Sequence, residues 1–206
     1  MRLGGFGASH NRRSRASQGQ SVAEFALVLP IIFVLLITIG DFGRFFASGI
    51  TLESAARTAA EVGAQELTKE IASALGPDYS VIHQYGWSSV CDETRGLPNV
   101  TYTGPGVECD GVPTIVCVHD GFDPNCDNVY NAGSGIPAAC GSFDVAARPT
   151  SAQAGDSETS MYVEVRVCYR FNTFFNITLP FIGGTISPLS GEWYVERTRT
   201  FTVADY

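Results

Sequence analysis

Six cysteines and one acid carry most of the chemistry this sequence can offer. Cys91, Cys109, Cys117, Cys126, Cys140 and Cys168 all lie well past the N-terminal region, dispersed among Gly, Pro, Asn and Thr. An even number spread through loop-like text suits disulfides in an oxidising compartment. Zinc and free thiols are the competing readings, but zinc sites usually show paired C-x2–4-C spacings and no pair here is that close. After the N-terminal region the only histidines are His83 and His119, and neither sits in a nucleophile or metalloprotease motif. The acids are scattered, so a carboxylate pair stays open. No enzyme, no cofactor and no metal site is expected. Asp120, Asp123 and Asp127 in "DGFDPNCDN" do not fit the spacing of a calcium loop and read as turn chemistry. Asn99 and Asn176 begin N-x-T sequons, which matter only where glycosylation machinery exists. The acid is Glu24, near the start of "SQGQSVAEFALVLPIIFVLLITIGDF", the most apolar stretch of the chain.

That stretch has no charge from Phe25 to Gly40, and reaches about 22 residues at Phe46 with Asp41 and Arg44 as its only interruptions. About 20 mostly apolar residues cross a bilayer, so it is long enough to span. No A-x-A cleavage pattern follows its core, as a secretory signal would require. Arg2, Arg12, Arg13 and Arg15 precede it with no acid among them, while the whole chain carries a formal charge of -8. The positive-inside rule places this basic head in the cytoplasm and the cysteines outside, in agreement with the redox argument. The acidic remainder argues against a nucleic-acid partner. Pro30 removes one backbone donor and is expected to bend the helix near Ala26 to Pro30.

The helical pattern continues past the span. Leu52, Ala56, Ala59, Gly63, Leu67, Ile71 and Ala74 recur at three- and four-residue steps, and Glu53 and Arg57 are spaced as an i,i+4 ion pair. Gly76 and Pro77 are a stop signal. A helix from about Val22 to Leu75 would be roughly 80 Å long. Its small-residue stripe allows close approach under the chain's own C-terminal domain, and packing between subunits is compatible with this along a helix so long. Beyond it, from Asp78 to Glu158, periodicity is weak, with short strand candidates at Thr114–His119 and Phe143–Ala147. Such a long irregular region is expected to be stapled by its cysteines. Residues 147–160 read as a loop. Residues 161–171, "MYVEVRVCYRF", alternate as a half-buried strand, with Val163, Val165 and Val167 on one face and Glu164, Arg166 and Cys168 on the other. Residues 191–203 are suited to pair with it. The connection between them is apolar but broken by Pro180, Gly183, Gly184 and Pro188; its Phe174, Phe175 and Phe181 either tuck into the core or form a patch.

A charge inside a bilayer costs a few kcal/mol or more, so Glu24 either snorkels to the headgroups or has a function there. Its context is a basic head, then Gly19, four residues, the acid, an aromatic and an apolar helix, which is the layout of a prepilin-peptidase substrate. Gly19 lets an extended backbone approach a protease closely. Cleavage after it would start the mature chain at Gln20 and put Glu24 at its fifth position, where the carboxylate could pair with the amine of a neighbouring subunit. Residues 19–64, with the G-x-x-x-x-E-F start, "ALVLP", the "DFGRFF" exit and "AAR" at Ala55 to Arg57, resemble the TadE-like pilus-assembly proteins of the tight-adherence (Flp-type) system. "YVEVRVCYRF" followed by Pro-rich apolar text is similar to the usual ending of that family. The region from Val81 to Gly155 has no counterpart in it.

The resemblance implies a small membrane protein, minor pilin or pseudopilin, processed by a prepilin peptidase and needed for pilus biogenesis. Its implied partners are pilus subunits, the assembly platform of that system, the peptidase and the lipid bilayer. The fold expected is α+β: a basic cytoplasmic leader over 1–19, a pilin-like transmembrane and amphipathic helix over 20–76, and an extracytoplasmic, disulfide-stapled, loop-rich β domain over 77–206. A membrane-tethered extracellular binding or adhesion module is the alternative function.

Overall fold

Helix-forming Arg, Ala, Gln and Leu run from the basic head into the apolar stretch with no capping break, and one helix results. In the computed structural model α1 spans Arg13–Ile71, with Pro30 inside it. The residues described are 13–73, 75–103, 108–119, 124–128, 136–140, 161–173 and 193–203. The helix therefore starts before the expected Val22, because a single glycine at position 19 weakens a helix without ending it. It stops four residues before the expected Leu75. The turn that follows reaches Gly76, whose φ of 83° is the left-handed conformation that glycine adopts freely.

The chain forms two compact units, Met1–Gly43 and Arg44–Tyr206. In the first, α1 is apolar all round and its large side chains are exposed, including Phe25, Leu27, Ile31, Leu35 and Ile39. A helix of this kind is stable only against lipid or other protein. It is long and apolar enough to cross a membrane.

The second unit is a helix–sheet sandwich. A small ladder joins β1, Thr101–Tyr102, to β2, Cys109–Asp110. The main sheet is built from β3 at Thr114–His119, β4 at Pro124–Asn128, β5 at Tyr162–Phe171 and β6 at Trp193–Thr202. It is antiparallel throughout, in the order β4-β3-β5-β6. β3 lies at the expected strand candidate and β6 falls within 191–203, and β6 does pair with β5, Val165 opposite Arg199. One sheet face carries Val116, Val118, Val163, Val165, Val167 and Tyr169, and these pack with Leu52, Ala56, Ala59, Ala60 and Leu67 of α1. The small-residue stripe is thus used within the chain. A Cβ on Gly63 would lie 2.9 Å from Val163 Cγ1, so the close approach of helix to sheet needs glycine there. Ile71, at the end of the stripe, is exposed, and Ala74 lies outside the described residues.

A second helix, α2 at Tyr79–Thr94, departs from the weak periodicity of its region. Local signals for it are nonetheless present. Asp78 caps it by accepting from the Ser80 amide at 3.0 Å, and the Ser80 hydroxyl and amide hold the Asp78 carboxyl below its usual range. Ile82, Gly86, Val90 and Thr94 are buried at every fourth position.

Two strand expectations change. β5 is buried on both faces, since Tyr162, Glu164 and Cys168 are covered as well as the valines, so it is not half-buried. Asp127 belongs to β4, opposite Val116, rather than to a turn. Asp120, Asp123, the strand candidate Phe143–Ala147, the loop 147–160, Asn176 and Phe174, Phe175 and Phe181 lie outside the described residues.

Candidate functional site

Gly19, Gln20 and Glu24, the residues expected to serve processing and subunit pairing, lie within α1 in the first unit. The Gln20 side-chain amide donates to Glu24 Oε1 at 3.1 Å, one helical turn away. A neutral amide satisfies one lone pair of the carboxylate but does not itself compensate the charge, and the charge is what lipid penalises. Gly19 has no atom within 4 Å of where its Cβ would be, and its φ is not positive. Neither packing nor backbone conformation requires a glycine at that point. In a helix interior glycine costs roughly 1 kcal/mol relative to alanine. Its effect here is to make this turn easier to unwind, which a protease needs, because the stretch is helical rather than extended.

The cysteines form three disulfides, and each joins a different pair of elements. Cys91–Cys109 ties α2 to β2, Cys117–Cys126 crosses the β3–β4 pair, and Cys140–Cys168 fixes the short 3-10 turn Ala138–Cys140 to β5. Cys117 and Cys168 both project from the sheet face opposite the helices. Cys117 is there because it registers with Glu164, and the alternation of β5 puts Cys168 on the same side. The β3–β4 register then sets Cys126 directly across from Cys117.

Ion pairs fasten the helix side. Arg199 reaches Glu53 of α1 with Nε and Nη2, and Arg197 Nε lies 3.7 Å from the same carboxylate. Sequence spacing assigns Glu53 to Arg57; the register of β6 supplies two guanidiniums from far along the chain. His83 of α2 is buried, with Nε2 3.3 Å from the Asn125 carbonyl and Nδ1 3.5 Å from Asp127 of β4. Burial pushes its pKa down, against the opposing pull of Asp127 and of the Asn125 carbonyl.

On the opposite sheet face, His119 stacks on Tyr162 at 4.3 Å between centroids, and its Nε2 lies 3.5 Å from Glu164 Oε2. Neighbouring ends of β3 and β5 bring these residues together, and no local motif announces them. All three are at most 1% exposed, which places the group as a polar part of the interior. In the same unit, a cleft of about 290 Å³ is lined by Asn99, Asp110, Gly111, Arg170 and Tyr194 among others. Asn99 is left-handed at φ 67°, and a Cβ on Gly111, φ 95°, would sit 2.1 Å from the Asn99 carbonyl oxygen. The cleft is mixed in character, with Pro113 and Pro137 among its lining, and closely packed at this edge. Among the described residues no three His, Cys, Asp or Glu side chains gather as a metal site.

Residues 19–61 match the family model described as TadE-like protein. The match begins at Gly19, contains Gln20 and Glu24, and ends within the part of α1 that packs on the sheet. The resemblance read from the N-terminal motifs holds over this stretch, and it supports a role in tight-adherence pilus assembly. No curated protein and no solved structure matches the chain.

Proposed function

From that TadE-like segment we propose that the protein is a minor pilin or pseudopilin of a tight-adherence (Flp-type) pilus. It acts in the initiating or capping complex, or in the filament itself, and its role is structural rather than enzymatic. The observation that carries this is the coincidence of two features at one place. The family match starts at Gly19, and in the all-round apolar helix that follows the hydrogen-bond donor to the Glu24 carboxylate among the described residues is the neutral amide of Gln20. The basic head holds the N-terminus in the cytoplasm, and the stapled domain lies outside, where disulfides persist. A prepilin peptidase cuts after Gly19. The freed amine of Gln20 in one subunit then pairs with Glu24 of a neighbour, offsetting the few kcal/mol that an uncompensated charge costs in lipid.

N-terminal sequencing of protein from native membranes tests this. The chain should begin at Gln20, Gly19→Leu should accumulate the longer form, and Glu24→Ala should insert normally but fail to co-purify with pilus components. A chain that still starts before Gln20 in peptidase-competent cells, together with normal assembly of Glu24→Ala, would defeat the reading. In that case a tethered adhesion module, with the outer cleft as its contact, becomes the better account.

A further inference from the structure

We infer that the β domain is seated on the bilayer by an interfacial anchor made of Phe46, Ile50 and Trp193, backed by Arg44, Phe45 and Phe171. The inference rests on the reading of α1 as a membrane span. Counting from Phe25, about 30 Å of hydrocarbon at 1.5 Å per residue ends about 20 residues later, near Arg44 and Phe45. The headgroup zone beyond it is roughly 5–8 Å deep on each side, another four or five residues. Phe46 and Ile50 fall at this depth. They stand one turn apart on the same side of α1 and are 65% and 72% exposed, whereas Ser48 and Gly49 between them are buried.

The sheet contributes to the same place. Phe171 and Trp193 are the terminal register pair of β5 and β6. The Phe45 ring meets both edge-on, with centroids 5.5 Å and 6.2 Å away. Trp193 is nonetheless 46% exposed, and the Arg44 guanidinium lies 5.4 Å over the Phe171 ring. Aromatic rings beside a cation at the end of an apolar helix match what the headgroup region favours, an amphipathic ring and a snorkelling charge. Water does not favour it: the Phe46 and Trp193 rings lie 6.1 and 6.2 Å from the Phe45 ring, and Ile50 extends the exposed apolar surface of α1 by one turn, which makes an interaction surface. The occupant is the phospholipid interface, because Phe46 follows the apolar stretch within a few residues along the chain. The attraction is apolar, so it should not depend on anionic lipid.

Tryptophan quenching tests the anchor. The chain has two tryptophans, so Trp87→Phe leaves Trp193 as the reporter in the full-length protein. In phosphatidylcholine vesicles, lipids brominated near the headgroup should quench Trp193 at least roughly twofold more than lipids brominated near the chain ends, as an interfacial ring requires. Added salt should leave the ratio unchanged, and Phe46→Ser with Ile50→Ser should lower the shallow quenching. A second reporter protein, carrying Leu35→Trp with Trp87→Phe and Trp193→Phe, reads the span itself. Its single indole should be quenched most by the deep bromines. If that mid-span indole responds while Trp193 is open to aqueous iodide, the span stands and the anchor is wrong. Shielding of Trp193 from iodide and bromolipid alike would show a protein surface on the patch, such as a second copy, and would overturn the proposal. A mid-span indole that no bromolipid reaches removes the span and the anchor together.

Discussion

His83 links a titration to the fold. Its imidazole is buried between α2 and β4, and its pKa lies below the ordinary value near 6.5. The unfolded chain therefore binds the proton more readily than the folded one, and stability rises with pH across this window. The contribution of neutral His83 is complete well above pH 6.5 and is lost as pH falls from there through the lowered folded value. Urea unfolding at about pH 8, 6.5 and 5.5, with disulfides intact, should show a falling midpoint. His83→Gln should flatten the part of that slope due to the imidazole. Parallel slopes for the two proteins would mean that burial does not disfavour the charged ring.

The contact between α1 and the sheet depends on one missing methyl group. Elsewhere in a helix Gly→Ala is stabilising by roughly 0.5–1 kcal/mol. At Gly63 the new Cβ would meet Val163 Cγ1 at 2.9 Å, and overpacking of a filled core costs about 1–3 kcal/mol. Gly63→Ala should therefore destabilise by about 1 kcal/mol net. With Val163→Ala already in place the same change should become stabilising, because the methyl then enters the space vacated. A double-mutant cycle on chemical unfolding reads this directly, with a coupling of at least about 1 kcal/mol expected. Additive effects would place the helix farther from β5 than the structure has it. The sheet also manages its own edge here. Arg197 and Arg199 of the outer strand β6 point inward to Glu53, and inward-facing charges discourage strand addition by another chain.

Across the whole molecule the disulfides reinforce a modest core. They are not equivalent. Cys140–Cys168 closes a separation of 28 residues and Cys117–Cys126 one of 9. Loop-closure entropy alone makes loss of the longer staple costlier by about 1 kcal/mol. Burial acts in the same direction, since Cys140 and Cys168 are both covered whereas Cys126 is exposed. Paired Cys→Ala variants compared by thermal unfolding should rank in that order. Equal losses would indicate that the unfolded chain is already held compact between residues 140 and 168.

The sequence by itself determined what depends on neighbours along the chain. The span is legible because lipid reads summed apolarity over about 20 residues, β5 is legible because its alternation is a period-2 signal, and β3 and β6 are legible because β-branched and aromatic residues favour strands. The resemblance at residues 19–64 rests likewise on contiguous motifs. Helix α2 was legible in principle, through Asp78 and the buried positions 82, 86, 90 and 94, but its glycine, serines and histidine obscured the apolar stripe. Only the tertiary structure decided the rest. Which cysteines pair follows from strand register and from where α2 meets β2, and local text holds neither. Glu53 binds Arg199 and Arg197 because β6 lies beside α1, although Arg199 is 146 residues away in sequence. The small-residue stripe names no partner by itself, and the approach of Gly63 to Val163 shows that the chain's own sheet is one. Sequence spacing gives the face that needs burial, and only packing supplies the surface that buries it.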